Sequence, residues 1–127
     1  MRIEILSLLD TRAPGITFRS PLGQAWAQWS GTERPGAGDI ANVEFDIPDE
    51  VGNWAPADGP DTLHSHAPEE PVRIRGVVTS TDEDDPVVAV RCGTDILLVE
   101  FPPAHKPPLG ARIEFTTPRI NAYPYSL

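Results

Sequence analysis

The sequence lacks paired cysteines and long apolar runs. Cys92 is the only cysteine, so no internal disulfide can form and an oxidising compartment is not implied. No apolar run approaches the length of a membrane span. The first residues, MRIEILSLLD, place an acid inside a short apolar stretch, which is typical of a strand rather than of a signal peptide. We therefore expect a cytoplasmic protein with no membrane partner.

The sequence also lacks a basic stripe. Its formal net charge is -9, and its Lys and Arg residues are scattered singly along the chain. Proteins that bind nucleic acids generally concentrate basic residues on one face, so nucleic acid is not expected as a partner. A surface with this excess of acid attracts basic proteins and steers them toward it at low salt.

Long helical patterns are absent too, because 15 prolines and 10 glycines interrupt the chain. Apolar residues instead alternate with polar ones in short segments that turn residues bound. Segments of this kind and spacing predict the strands of a small barrel or sandwich. The segments are IEI, GITFR, GQAWAQW, IANVEFDIP, VRIRGVVTS, PVVAVR, DILLVEF, ARIEFTT and INAYPY. The expected fold class is all-β, with little or no helix.

The strand pattern occurs twice, 72 residues apart. Without a gap, this offset superposes identical turn and strand-end residues: Asp10 on Asp82, Pro14 on Pro86, Arg19 on Arg91, Pro35 on Pro107 and Gly38 on Gly110. Apolar positions coincide as well, such as Ile5 with Val77, and a two-residue change then aligns Val43–Phe45 with Ile113–Phe115. Any two β-meanders share alternation, but identical turn residues in one register favour an internal duplication.

The repeats divide the chain into three parts. Residues 1–47 form the first antiparallel β-meander, and residues 72–127 form the second, which has an extra C-terminal strand. Residues 48–71 form an acidic loop or linker rich in Pro and Gly, with one helical turn expected near Asp49–Trp54; a loop of this length is either functional or a linker. Because a half of about 50 residues would be only marginally stable, we expect one compact unit.

The second half resembles the small β-barrels of the OB-fold and TOBE-like type. The residues that carry this resemblance are the V-x-I-x-G-x-V start at Val72–Val78, Gly93 before the strand DILLVEF, and the P-L-G-x-x-I-x-F run at Pro108–Phe115. These motifs describe turns and alternation. The resemblance therefore implies a barrel and, as one alternative, a module that senses a small ligand or anion.

Exposed aromatic and acidic residues are the candidate contacts for a basic partner protein. Trp26 lies out of phase with Ala25 and Ala27, so it faces outward unless the 48–71 segment covers it. Trp54 lies within that segment and either contacts a partner or fixes the loop to the barrel. The acidic candidates are Asp58 and Asp61 in the loop and Asp82, Glu83, Asp84 and Asp85 in a turn. Features present only once, including the YPY tail, are better functional candidates than features shared by both repeats.

No residue set predicts catalysis, a metal or a cofactor. His64 and His66 form an H-S-H pair, but zinc sites need three or four ligands. Glu44 and Glu114 occupy matching positions, yet apolar neighbours flank each of them, as expected of solvent-facing strand positions. Cys92 lies at a strand end and is interpreted as a small core residue. We therefore expect a protein that is not an enzyme.

Three binding functions remain open. The first is a non-enzymatic module that binds a basic protein, such as an immunity or antitoxin-like inhibitor. The second is a small-ligand or anion sensor, in which Arg19 and Arg91 at equivalent strand ends clamp the anion. The third is an accessory subunit that pairs with a partner through an exposed sheet edge. The sequence does not predict an oligomeric state.

Overall fold

A computed structural model describes residues 1–9 and 14–126, and these residues form two β-sheets with a single turn of 3-10 helix at Pro103–His105. The predicted all-β fold class is confirmed. The strands are β1 Arg2–Leu9, β2 Gly15–Ser20, β3 Gly23–Trp29, β4 Ile40–Asp46, β5 Ala55–Pro56, β6 Thr62–His64, β7 Val72–Asp82, β8 Asp85–Cys92, β9 Asp95–Glu100, β10 Arg112–Thr117 and β11 Asn121–Pro124. No helix in the described residues has the length and apolar character needed to cross a bilayer.

The first sheet closes into a five-stranded barrel in the order β1-β2-β3-β11-β4. Four of its strands come from the first repeat, and β4 returns to pair with β1. The fifth strand, β11, comes from the C-terminal end and lies between β3, to which it is parallel, and β4, to which it is antiparallel. This small closed barrel is consistent with an OB-like fold. The sequence resemblance lay mainly in the second half, but the closed barrel is built mainly from the first repeat.

The second sheet has the order β5-β10-β7-β8-β9, and β6 pairs with β7 outside this path. Strands β7 to β10 repeat the pairing of β1 to β4: β7 pairs with β8, β8 with β9, and β10 returns to β7. The position next to β10 that corresponds to β11 in the first sheet is filled by β5, from the segment between the repeats. Each sheet therefore takes its fifth strand from outside its own meander: β11 from the end of the second repeat and β5 from the segment between the repeats.

The two hairpins β2–β3 and β8–β9 share one register at the predicted offset. Phe18 lies opposite Ala25 in the first hairpin, and Val90 lies opposite Leu97 in the second, each pair 72 residues apart. The backbone agrees as well, because Trp29 N–H donates to Pro14 O at 2.7 Å and Phe101 N–H donates to Pro86 O at 3.0 Å. The equivalence of Asp10 with Asp82 cannot be followed in the same way, since Asp10 lies outside the described residues.

The alignment of the first and fourth strands needs correction. Ile5 pairs with Phe18 as Val78, not Val77, pairs with Val90. Gly38 N–H donates to Ile5 O at 2.7 Å and Gly110 N–H donates to Val78 O at 2.9 Å, so the fourth strand keeps the offset of 72. The two-residue change that aligned Val43 with Ile113 is wrong. It looked plausible because side chains alternate with period two, so a shift of two residues preserves the buried face.

The segment between the repeats contains two short strands rather than a helical turn. Residues 50–54 have no regular structure, and the chain then forms β5 and β6. Periodicity cannot predict strands of two and three residues, because alternation needs at least four positions to be recognised. These strands pack the segment against the second sheet, so residues 48–71 are part of the folded body.

One aromatic pair contributes to the core of each sheet. Phe18 stacks on Phe45 with a centroid separation of 5.2 Å in the first sheet, and Phe101 packs edge-on against Phe115 at 5.9 Å in the second. All four rings are buried. The core is therefore built from the inward-facing positions that the alternation predicts.

Gly76 marks a close approach between β7 and β8. A Cβ atom at this position would lie 2.4 Å from the backbone oxygen of Arg91, whereas a Cβ at Gly52 would meet nothing within 4 Å. We expect Gly76→Ala to lower the free energy of unfolding by about 1–3 kcal/mol, because the strands must separate to admit the methyl group. Gly52→Ala should change it by less than about 0.5 kcal/mol. Urea unfolding of both variants measures this, and equal stabilities would contradict it.

Candidate protein-binding cleft

An open cleft of about 730 Å³ lies where the two sheets meet, and we call it the β9 cleft. Its lining residues come from β4, from β9 and the turn before it, from β11 and from the chain ends: Met1, Glu44, Phe45, Asp46, Thr94, Asp95, Ile96, Leu98, Tyr123 and Tyr125. The cleft thus joins the third and C-terminal strands of the second repeat to the fourth strand of the first.

Four large apolar side chains in the β9 cleft are exposed to solvent. Ile96 is 51% exposed and Leu98 is 61% exposed, because the alternation that buries Leu97 and Val99 turns them away from the core. Tyr123 and Tyr125 are 44% and 41% exposed on the opposite wall. Apolar groups clustered in a cleft with a polar rim are typical of interaction sites.

The β9 cleft is acidic. Glu44, Asp46 and Asp95 contribute carboxylates, and no Lys or Arg side chain lies among its lining residues. Asp95 is neutralised by the amino group of Met1, which lies 2.7 Å from its Oδ2 atom. Glu44 and Asp46 form no ion pair with any residue that the structure describes. Two uncompensated carboxylates therefore face the same apolar patch.

Trp26 is buried rather than exposed. Its exposed fraction is 6%, because the segment that follows β6 covers it. Trp26 Nε1–H donates to Glu70 O at 2.6 Å, and its backbone N–H donates to Ser65 Oγ at 3.1 Å. The sequence correctly places its side chain on the outer face of β3, but the alternative in which the 48–71 segment covers this face is the one found. Trp26 offers no exposed anchor to a partner.

Trp54 fixes the 48–71 segment to the 3-10 turn that connects β9 to β10. Its ring stacks on His105 with a centroid separation of 5.4 Å, and its Nε1–H donates to His105 O at 2.8 Å. The ring is half-buried in this contact. Both polar and apolar parts of Trp54 therefore have intramolecular partners.

The two acidic candidates in the 48–71 segment differ in their surroundings. Asp58 is exposed. Asp61 accepts hydrogen bonds from Arg112 Nη1–H at 2.7 Å and from the Gly93 N–H at 2.8 Å. Burial by itself would raise the pKa of Asp61, but these hydrogen bonds and the charges of Arg112 and Arg91 outweigh it, so the pKa lies below its ordinary value of 3.8. Asp61 joins the segment to the second sheet.

The acidic turn at residues 82–85 is the tip of the β7–β8 hairpin, and all four side chains are exposed. Asp82 Oδ1 accepts the N–H of Asp84 at 3.0 Å, and Asp85 Oδ1 accepts the N–H of Val87 at 2.9 Å. Lys106 Nζ donates to the backbone oxygens of Asp82 and Asp85. Two of the acids thus shape the turn, while Glu83 makes no such contact with the described residues.

Arg19 and Arg91 lie on different sheets, β2 and β8. Arg19 Nη1 lies 3.6 Å from Glu4 Oε1 in an exposed ion pair. Arg91 is close enough to Asp61 for its charge to lower the pKa of that carboxyl. Neither arginine lines the β9 cleft. Each therefore has an acidic neighbour on its own side of the molecule, which disfavours a shared anion clamp.

The remaining polar candidates form no reactive constellation. The rings of His64 and His66 meet edge-on at 5.3 Å, and no group of three or more potential metal ligands occurs in the described residues. Glu114 pairs with Arg75 at 2.7 Å on the second sheet, whereas Glu44 lies in the β9 cleft. The two glutamates therefore belong to different environments and do not act together.

Comparison of the chain with protein-family models, with curated proteins and with solved structures finds no match. The candidate site therefore depends on the geometry alone. Sequence reasoning singled out the YPY tail but missed Ile96 and Leu98. A signal for them was present, because both lie out of phase with the buried positions of DILLVEF, as Trp26 does in the corresponding strand.

The hydrogen bonds of Asp61 should make stability depend on pH. Because its folded pKa lies below the unfolded value of 3.8, its contribution is present above that pH and is lost as the pH falls through the folded pKa. We expect Asp61→Asn to lower the free energy of unfolding by about 1–3 kcal/mol at neutral pH, and the difference from wild type to shrink in acid. Urea unfolding at neutral pH and below pH 3.8 tests this, with Asp58→Asn as the exposed control. A deficit that is independent of pH would contradict it.

Cys92 should be inert in the folded protein. Burial, together with the charges of Asp61 and Asp95, raises the pKa of its thiol to about 12. Its Sγ–H also donates a hydrogen bond to Arg75 O, with 3.5 Å between sulfur and oxygen. We expect no reaction with a thiol reagent such as Ellman's reagent under native conditions and full reaction in denaturant, because only the exposed thiolate is nucleophilic. Rapid stoichiometric labelling of the native protein would contradict this.

Proposed function

We propose that this protein is a non-enzymatic binding module that takes up a positively charged segment of a partner protein in the β9 cleft. The observation that carries the proposal is the joint presence of exposed apolar side chains and uncompensated carboxylates in one cleft. Ile96, Leu98 and the two tyrosines supply apolar contact area. Tyrosine is a frequent anchor of protein interfaces, because it combines a large apolar surface with a polar tip.

Charge supports a basic partner over a neutral one. The chain has a net charge of -9, and its long-range field attracts cations before contact. Within the cleft, Glu44 and Asp46 are free to pair with Lys or Arg side chains. Electrostatic complementarity of this kind accelerates association and discriminates against acidic competitors. An immunity or antitoxin-like inhibitor that neutralises a basic protein is a role that fits this surface.

A selection from a phage-displayed library of random 12-residue peptides tests the chemistry of the partner. We expect the enriched sequences to combine Lys or Arg with apolar residues and to bind more weakly as salt rises, because salt screens exposed charges. Enrichment of neutral or acidic peptides would contradict the proposal.

Matched variants test the position of the site by fluorescence anisotropy of an enriched peptide. Asp46→Lys and Leu98→Ser should each weaken binding at least about tenfold, which corresponds to about 1.4 kcal/mol. Glu83→Lys makes the same change in net charge outside the cleft, and Leu109→Ser removes a leucine that is 66% exposed elsewhere. Both controls should bind as the wild type does. Equal losses in Asp46→Lys and Glu83→Lys would assign the effect to overall charge or to the acidic turn, and would overturn the cleft.

A further inference from the structure

The chain contains an example of a strand added to the outer edge of β3. Segment 63–65, at the end of β6, runs parallel to β3: Leu63 N–H donates to Leu22 O at 3.2 Å, and Ser65 N–H donates to Gln24 O at 3.1 Å. Trp26 N–H returns a hydrogen bond to Ser65 Oγ at 3.1 Å. The connection from β6 to β7 then crosses the Trp26 side chain and buries it.

Strand β9 is the counterpart of β3 in the second sheet. The β2–β3 and β8–β9 hairpins match in register, so Gln24 corresponds to Ile96 and Trp26 corresponds to Leu98. The edges agree in hydrogen bonding as well. Gln28 N–H points away from the hairpin and donates to Ile120 O at 2.9 Å. Its counterpart is Glu100, whose backbone oxygen also points away from the hairpin and accepts from Val51 N–H at 2.8 Å. The same alternate residues of both strands therefore direct their backbone groups away from the hairpin.

The segment at the end of β6 occupies the outer edge of β3. The equivalent edge of β9 is open. Phe101 N–H bonds toward β8, so the alternation of an antiparallel pair turns the N–H and C=O groups of Ile96 and Leu98 outward. No described residue pairs with them on that side, where β9 is the last strand of its sheet. The side chains show the same difference: Trp26 is 6% exposed under its cover, whereas Leu98 is 61% exposed. This open edge borders the β9 cleft.

From this asymmetry we infer that β9 accepts an extended segment of the basic partner as an added parallel strand, in the manner in which β3 accepts β6. The inference rests on the proposed function and specifies how the partner is held. Backbone groups of the segment bond to those of Ile96 and Leu98, its apolar side chains cover Leu98 and Tyr123, and its Lys or Arg side chains reach Glu44 and Asp46. Main-chain hydrogen bonds supply affinity in this mode of recognition, and alternate side chains supply specificity.

The β6 segment itself provides the probe. A synthetic peptide of residues 60–70 carries the backbone pattern that already fits β3, and lysine in place of Asp61, Glu69 and Glu70 matches its charge to the cleft. We expect this lysine peptide to bind, and its binding to slow hydrogen exchange of the Ile96 and Leu98 amides at least tenfold. The amides of Leu97 and Val99 point toward β8 and serve as internal controls whose exchange changes less. The unsubstituted acidic peptide should bind at least tenfold more weakly.

Backbone variants separate strand addition from side-chain contact. Leu98→Pro removes the outward N–H and obstructs the edge, whereas Leu98→Ala keeps the N–H and removes most of the side chain. We expect the lysine peptide to bind Leu98→Pro at least tenfold more weakly than it binds Leu98→Ala. Protection of Cys92 from thiol reagents verifies that each variant is folded, and Ile96→Pro provides a second edge block should Leu98→Pro fail this check.

The outcomes distinguish the two proposals. Equal binding to Leu98→Pro and Leu98→Ala, or unchanged exchange at Ile96 and Leu98 in the saturated complex, would overturn strand addition. The proposed function would still stand in that case if Asp46→Lys abolished binding of the library-selected peptides. Failure of the lysine peptide to bind, while those selected peptides do bind, would also overturn strand addition alone. Absence of binding by both kinds of peptide would overturn the proposed function.

Discussion

The structure depends on fifth strands that come from outside each meander. Strand β11 closes the first barrel by pairing with β3 and β4, although it follows β10 in the chain. Strand β5 follows β4 and pairs with β10. Neither meander therefore completes its sheet with its own residues. Backbone hydrogen bonds, and not only side chains, therefore connect the second repeat to the first.

Because the two repeats share a register, a feature found in only one of them can be compared with the equivalent position in the other. The segment around β6 covers the outer face of β3, and its acid Asp61 reaches the second sheet to bind Arg112 and the Gly93 N–H. Nothing in the described residues does the same for β9. The molecule thus presents two equivalent edges, one occupied and one open. The occupied edge provides the geometry on which the proposed strand addition at β9 is based.

Alternation and turn residues were sufficient to predict the fold class and the 72-residue register of the hairpins. They could not predict where β11 pairs, because a strand's sequence states which face is buried but not which neighbour it joins. The short strands β5 and β6 were not predicted for a different reason, because two or three residues are too few to show an alternating pattern. Trp26 illustrates the limit for sites. The sequence correctly predicted the face of β3 on which its side chain lies, but its burial depends on a tertiary contact with residues 65–70.

Leu98 shows how the repeat itself extends what the sequence can predict. Its position matches that of Trp26 at the offset of 72. Because Trp26 is covered by another segment of the chain, the equivalent position of Leu98 is a site where a covering segment can be expected. The tyrosines of the cleft were accessible from the sequence as a feature present only once. Their approach to β9 was not, because it requires the crossing of β11 into the first barrel.

An open edge strand with exposed apolar residues normally invites self-association, and natural proteins oppose this with charge. In the β9 cleft, the opposing charge is that of Glu44 and Asp46, which a second copy of this acidic chain would meet with acids of its own. Like charges brought together at an interface cost free energy, whereas a basic segment at the same place forms ion pairs. Under the proposed function, the same two carboxylates would have two effects: they would oppose pairing of the edge with other copies of the chain, and they would favour a basic segment as its partner.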